Sequence, residues 1–208
     1  MAIISFYPFS SDWTDVVWWY NWTATWSPVL SSKHIFWSNW FTFDWTVNKY
    51  FTTADASSKF SWKSNASIET YIYQTSLLDT TSANIYNTGS SSLWLWSYSW
   101  LSWNNWFWVY TTSWTFCNAA SVFPINKYCH IIWTYDGSNI RIYIDWVLSN
   151  TTSKSWNISA PSSTWNIWAL PWVSWKAPTW DIIFIKSYNE TLLWWNIKNK
   201  YAYIKWFI

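Results

Sequence analysis

The chain has 208 residues, of which 51% are hydrophobic, enough for a single domain with a sizeable core. Its 12 basic and 10 acidic residues leave a net charge of +2, so no strong field favours nucleic acid or a membrane surface as partner. Once tryptophan is discounted, no apolar run is long enough to insert into a membrane, and the first residues lack the basic start of a signal peptide.

Short strands separated by turns account for most of the chain, and no segment has a convincing helical period, so we predict an all-β fold. The segment 66–74 alternates without leaving a polar face, so both of its faces are expected to be covered. Segments 12–28 and 90–106 are predicted loops, and the tail to residue 208 is a predicted edge strand or short helical turn. The predicted strands outside the central hairpin are 5–10, 49–53, 66–74, 107–111, 165–170 and 180–188.

The clearest local signal is a hairpin within 130–150. Two runs rich in β-branched and aromatic residues, 131–135 and 140–144, flank the turn sequence Asp136-Gly137-Ser138-Asn139. A second tight turn is expected at Asp145-Trp146. Glycine normally follows aspartate in such a turn, because glycine reaches a positive φ without steric cost and tryptophan does not.

That misfit is general, because the chain has 2 glycines and 27 tryptophans. An ordinary composition of about 7% glycine would give roughly 15 glycines in this length. We predict that most printed tryptophans are glycine in the cell: some bacterial lineages decode UGA as glycine, and a table that reads UGA as tryptophan would produce this sequence. The alternative is a true 27-tryptophan protein. Fifteen tryptophans directly follow Asp, Asn, Ser or Thr, where glycine would complete a turn dipeptide: 13, 22, 26, 40, 45, 62, 100, 103, 106, 114, 146, 156, 165, 175 and 180.

The hairpin resembles the signature of laminin-G-like, concanavalin-A-type jelly-roll domains, which runs W/Y-x-H, then T-Y-D-G-S, then R-x-Y-x-D-G. With glycine read for tryptophan, 12–28, 40–45 and 180–188 are similar to further elements of that family, and 189–192 fits its N-R-A-L turn. The resemblance implies a two-sheet antiparallel jelly-roll sandwich as one domain over 1–208, or a fragment of a longer surface protein. The hairpin residues that match are Tyr128, His130, Thr134, Tyr135, Asp136, Gly137, Ser138, Arg141, Tyr143 and Asp145.

The residues that catalysis would need are scarce. Retaining glycosidases on this fold need two carboxylates about 5–5.5 Å apart, and the two glutamates, Glu69 and Glu190, are isolated in the sequence. The two histidines, His34 and His130, exclude a multi-histidine zinc site, and His130 is expected to be packed or hydrogen-bonded. We therefore predict no catalytic residues. The lysines of the C-terminal end, at 186, 198, 200 and 205, are expected to form a solvated face.

Two further sites stay open at this point. The resemblance implies a calcium site at one rim of the sandwich, for which Asp44 and Asp181 are the candidates, although aspartates in this chain also serve as turn formers. No other cofactor is implied. Cys117 and Cys129 are expected on neighbouring antiparallel strands, which would permit a disulfide; two reduced, buried cysteines are the alternative.

The favoured function is a non-catalytic binding or adhesion module, a lectin-like domain outside the cell or on its surface that recognises a glycan or a protein partner through rim loops. No ligand-binding residue is assigned from the sequence. A glycosidase-like enzyme on the same fold and a ligand-free spacer domain are the alternatives. The 27 indoles do not count as sugar-stacking platforms here, because most of them are predicted to be glycine.

Overall fold

Two antiparallel sheets and one helix make up the part of the chain that the computed structural model describes, which is residues 3–7, 23–24, 29–30, 41–43, 51–54, 64–74, 82–87, 93–98, 104–110, 116–153, 155, 157–158, 164–167 and 180–207. The strands are β1 (Ile3–Tyr7), β2 (Thr23–Ala24), β3 (Val29–Leu30), β4 (Phe41–Phe43), β5 (Phe51–Ala54), β6 (Ala66–Gln74), β7 (Ser82–Asn87), β8 (Leu93–Tyr98), β9 (Asn104–Tyr110), β10 (Phe116–Ser121), β11 (Lys127–Tyr135), β12 (Asn139–Ile144), β13 (Val147–Ser153), β14 (Thr164–Ile167) and β15 (Trp180–Tyr188). The helix α1 is Trp194–Phe207. The prediction of a mainly antiparallel β protein is confirmed.

The first sheet has the strand order β13-β12-β11-β6-β15-β4-β3, and β1 also pairs with β15. The second sheet has the order β10-β9-β8-β7-β14-β5-β2. The two sheets meet at β10, where the Asn150 side-chain amide of β13 donates a hydrogen bond to the Ala120 carbonyl (2.6 Å). Close by, the rings of Phe123 and Trp133 lie 6.0 Å apart.

The predicted central hairpin is confirmed. Tyr135 of β11 pairs with Ile140 of β12, and Gly137 between the strands has a φ of +85°. Asp136 holds this turn, because one of its carboxylate oxygens accepts the Ser138 and Asn139 backbone N–H groups at 2.8 and 2.6 Å.

The first sheet is covered on both faces around β6, as the alternation predicted. Ile68, Thr70 and Ile72 on one face are fully buried, and Glu69 on the other face is also buried. The helix α1 covers the second of these faces. Its residues Ile197 and Ile204 are seven positions apart, which places them on one side of a helix. They pack there against strand residues that include Ile132, Tyr143 and Tyr188 for Ile197, and Tyr71 and Phe184 for Ile204.

The helix corrects the sequence prediction at the C-terminal tail, which was an edge strand or a short helical turn. The turn before it forms as expected: the Ser67 hydroxyl donates to the Glu190 carbonyl (2.8 Å) and accepts the Leu192 N–H (2.9 Å), which attaches the connection to β6. Strand β8 lies inside the segment 90–106 that was predicted to be a loop, so that prediction is wrong. The described part of the chain holds no helix long and apolar enough to cross a membrane.

The two cysteines are not on neighbouring strands, so that expectation is wrong. Cys117 lies in β10 of the second sheet, whereas Cys129 lies in β11 of the first sheet and pairs with Ile72 of β6. Cys129 is a free, buried thiol. Burial raises its pKa to about 12, so this thiol is an inert part of the packing.

Candidate functional site

The tight turn at Asp145-Trp146 has the geometry that the sequence predicted for glycine. Ile144 pairs with Val147 across the turn, and Asp145 and Trp146 have φ values of +48° and +67°. Two consecutive positive φ values define the type I′ hairpin turn, in which Asn-Gly and Asp-Gly are the preferred sequences. Tryptophan therefore occupies a backbone conformation that its side chain disfavours.

Asp145 also connects this turn to the start of β11. Its backbone N–H donates to the His130 carbonyl (2.8 Å), and its carboxylate accepts the His130 backbone N–H (3.0 Å). The second carboxylate oxygen of Asp145 accepts a hydrogen bond from the Lys127 ammonium (2.9 Å). The Asp145 carboxylate is thus held by two donors.

A network of charged and polar groups is buried between α1 and the first sheet. Glu69 lies at its centre: one carboxylate oxygen accepts the His130 Nε2–H (3.0 Å), and the other accepts the Tyr188 hydroxyl and lies 3.2 Å from the Lys200 ammonium. Lys200 of the helix also donates to the Tyr188 oxygen (2.7 Å). We call Glu69, His130, Tyr188 and Lys200 the buried charge network.

Glu69 stays ionised in this setting. Burial alone would raise its pKa, but the hydrogen bond from His130 and the positive charges of Lys186 and Lys200 outweigh burial and lower the pKa to about 2. Burial and the Glu69 carboxylate raise the pKa of Tyr188, so its hydroxyl remains a donor. The network is closed to solvent on the sheet side, because Glu69 and His130 are 1% exposed.

Beside this network, aromatic rings stack across three strands. Tyr71 of β6 stacks on Tyr128 of β11 with ring centroids 5.7 Å apart and on Phe184 of β15 at 6.4 Å. From the helix, the ring of Tyr201 stacks on the His130 imidazole at 6.2 Å. Most ring faces are therefore occupied by other side chains.

An open cavity of about 320 Å³ lies at the edge of this stack, between α1 and the start of β11. Ligand sites for small molecules begin at about this size, roughly 300 Å³. We call this cavity the tyrosine pocket. Its lining residues are Tyr71, Lys127, Tyr128, Asp145, Tyr201, Ile204 and Lys205.

The tyrosine pocket is basic at its rim. Lys127 and Lys205 carry two positive charges, and Asp145 carries one negative charge that the Lys127 ion pair already engages. The Lys127 side chain is 62% exposed, so its ammonium reaches solvent as well as Asp145. Burial and the Asp145 charge raise the pKa of Tyr71, which keeps its hydroxyl protonated.

Of the two predicted calcium candidates, one lies among the described residues. Asp44 and His34 lie outside the described residues. Asp181 lies within β15, between Thr42 of β4 and Tyr73 of β6. No group of three or more His, Cys, Asp or Glu side chains occurs among the described residues, and the calcium site stays a prediction.

His130 is packed and hydrogen-bonded, as predicted, and its partner is Glu69, which is isolated in the sequence. The solvated lysine face is correct for Lys198 and Lys205, which are exposed, but Lys200 pairs with buried Glu69. The sequence holds one signal for the pocket. Tyr201 and Lys205 are four residues apart near Ile204, which is the spacing of one helix face.

Comparison with known proteins identifies a shared fold. No family model matches the chain, and no curated protein sequence matches it. The binding domain of botulinum neurotoxin serotype G superposes with a TM-score of 0.77 at 13% identity, covering 98% of this chain and 51% of that one. The binding domain of Paraclostridial Mosquitocidal Protein 1 gives a TM-score of 0.77 at 11% identity, covering 97% and 52%.

A third solved structure was determined with a sugar. The ligand-binding domain of botulinum neurotoxin serotype D, in complex with N-acetylneuraminic acid, has a TM-score of 0.74 at 11% identity and covers 96% of this chain and 50% of that one. This chain therefore spans about half the length of these binding domains. The superpositions support a β-sandwich fold. At identities this low they do not single out the laminin-G-like jelly roll that the motifs resemble.

Proposed function

We propose that this chain is a non-catalytic binding module that recognises a glycan at the tyrosine pocket. The observation that carries the proposal is the pocket itself: an open cavity of about 320 Å³ lined by three tyrosines, an isoleucine and charged side chains. Tyrosine offers apolar area and a hydroxyl on one rigid ring, a combination suited to a sugar with its apolar C–H face and its hydroxyl groups.

Rigid support for the pocket favours binding. Tyr71 is 6% exposed and is stacked between Tyr128 and Phe184, so the floor of the pocket does not need to reorganise when a ligand enters. Tyr201 is held against His130, which Glu69 in turn holds. The pocket is therefore preorganised by the buried charge network.

The same residues argue against the glycosidase alternative. A retaining glycosidase needs a carboxylate nucleophile and a second carboxyl group with a raised pKa that can donate a proton. Among the described residues, Asp145 is the only carboxylate that lines the tyrosine pocket, and its two oxygens are engaged by Lys127 and the His130 backbone. Glu69 has a lowered pKa and is buried, which suits a structural anion and not a proton donor.

Within this proposal the chain is one laminin-G-like jelly-roll domain over 1–208 of a bacterial protein that works outside the cell or on its surface. The motif order along the sequence and the fold shared with toxin binding domains support it. The likeness covers half of each of those domains, so the ligand is assigned from this chain's own pocket and not from theirs. A protein partner and a ligand-free spacer are the competing functions.

A glycan array separates these possibilities. We expect the purified chain to bind a restricted set of glycans, and we expect incubation with the bound glycans to release no reducing sugar. Release of reducing sugar would favour the glycosidase alternative. An array without any binding, from a chain whose folding is verified by circular dichroism, would contradict the glycan proposal and leave the protein-partner and spacer functions.

A further inference from the structure

The tyrosine pocket is an electropositive cavity, and this property follows from how its rings are arranged. The faces of Tyr71 are covered by Tyr128 and Phe184, and Tyr201 is stacked on His130 with the Lys205 ammonium 6.0 Å from its ring centroid. A ring whose face is engaged by a neighbour offers a ligand its edge, and the edge is the positive part of the quadrupole of an aromatic ring.

Charged side chains add to this field. Lys127 and Lys205 both line the cavity, and the single acidic residue, Asp145, is already satisfied by the Lys127 ammonium and by the His130 backbone N–H. The net charge of the lining is therefore +1. A neutral sugar would use the donors but not the charge, whereas an anionic group would use both.

We propose that the tyrosine pocket selects an acidic sugar, meaning a sugar ring that carries a carboxylate or a sulfate. The proposal rests on the proposed function, because it specifies which glycans the binding module takes. The anionic group lies between the Lys205 and Lys127 ammonium groups, and the sugar ring lies against the tyrosine edges and Ile204. A glycolipid head group and a free oligosaccharide share this chemistry.

The test compares pairs of oligosaccharides that differ by one charge. Binding of a glucuronate-terminated oligosaccharide and its glucose-terminated counterpart is measured by calorimetry at low and physiological salt. We expect the acidic member to bind at least about tenfold more tightly, a ratio of the size that one charge-assisted hydrogen bond supplies. Raising the salt concentration is expected to reduce this difference, because the rim of the pocket is open to solvent.

Matched lysine variants assign the effect to the pocket. Lys205→Gln is expected to weaken binding of the acidic member about tenfold, several-fold more than it weakens binding of the neutral member. Lys198→Gln on the same helix is the control: its ammonium lies over the rings of Trp146 and Trp194 and does not line the pocket. Equal effects of the two variants, or equal affinity for the two sugars, would overturn the selection of acidic sugars while the glycan-binding function stands.

Two further outcomes distinguish failure of glycan binding from failure of acidic-sugar selection, and a lipid surface from a sugar as the ligand. Binding of neither sugar, nor of any other glycan, would overturn the proposed function and this inference with it. Vesicles that display the same acidic sugar as a lipid head group should bind as the free sugar does. Binding to vesicles that is equal with and without the acidic head group would show a lipid surface as the ligand, and would overturn the proposal.

Discussion

Individual residues at turns carry the clearest physical signal in this chain. Trp146 has a φ of +67° in a two-residue turn, at a position where the sequence alone predicts glycine. A left-handed conformation costs a residue with a Cβ roughly 1 kcal/mol or more, and glycine avoids that cost. The turn geometry therefore supports the recoding hypothesis at this residue.

Peptide mass spectrometry of the protein isolated from its native host tests that hypothesis. We predict glycine at residue 146, and also at residues 40, 45 and 180, which follow Asn, Asp and Thr in the sequence. The peptide that contains Gly137, printed as glycine, provides the internal reference. Tryptophan at all four positions would refute the recoding and would make exposed aromatic rings a real feature of the surface.

Gly137 allows the reverse test, in which a glycine with a positive φ is replaced by a residue that has a Cβ. Its φ is +85°, and a Cβ there would lie 3.1 Å from the Ser64 carbonyl oxygen, so Gly137→Ala adds both backbone strain and a close contact. We expect the free energy of unfolding to fall by about 1–2 kcal/mol, measured by urea denaturation. The neighbouring Ser138→Ala should change it by less than about 0.5 kcal/mol, because the Ser138 side chain is exposed. Similar losses for both variants would contradict this explanation of the turn.

At the scale of elements, the strands with a strict period were predictable and the helix was not. Strand β6 begins and ends where its alternation indicated, and β15 begins and ends where the resemblance to the jelly-roll family placed a strand. In α1, three tryptophans and two asparagines dilute an apolar stripe that consists of little more than Ile197, Tyr201 and Ile204. The helix is stabilised by its packing on the sheet, which local sequence does not report.

The pocket was unpredictable for a related reason. Its lining comes from β6, β11, the turn after β12 and α1, which are far apart along the chain. A single sequence does not reveal which of these elements meet. Glu69 illustrates the point: it is isolated in sequence and lies at the centre of four interacting side chains in space.

The free energy of unfolding should depend on pH through Glu69, which lies between α1 and the first sheet. Its pKa falls from 4.5 to about 2 on folding, so the carboxylate contributes stability above pH 4.5 that is lost as pH falls towards 2. Glu69→Gln should therefore destabilise the chain at pH 7 by about 3 kcal/mol or more, because removing one partner of a buried ion pair leaves the Lys200 charge unpaired.

Urea denaturation of both proteins between pH 3 and pH 7 measures this effect. The difference between the wild type and Glu69→Gln should be constant above about pH 5 and should shrink as the pH falls below 4.5. Lys198→Gln serves as the control, since Lys198 is an exposed residue of the same helix and is not part of the buried charge network. A difference that does not vary with pH would show that Glu69 acts through packing and not through its charge.

At the scale of the whole molecule, the fold does not determine the function. The β-sandwich is shared with half of several toxin binding domains at 11–13% identity, which establishes architecture and leaves the ligand to be found from this surface. None of the residues that line the tyrosine pocket is a printed tryptophan. The side chains that line the proposed site are therefore the same whichever tryptophans are glycine in the cell.

Two tyrosines on α1 provide the most direct measurement of the central claim, that this chain binds glycans at the tyrosine pocket. Tyr201 lines the pocket, whereas Tyr203 on the same helix is 67% exposed and does not. Calorimetric titration with a glycan selected from the array should show Tyr201→Ala weakened about tenfold or more, near 1.4 kcal/mol, and Tyr203→Ala unchanged, with thermal unfolding verifying that both variants are folded. Unchanged affinity in a folded Tyr201→Ala variant, or equal losses in the two, would place the binding site elsewhere and contradict the account.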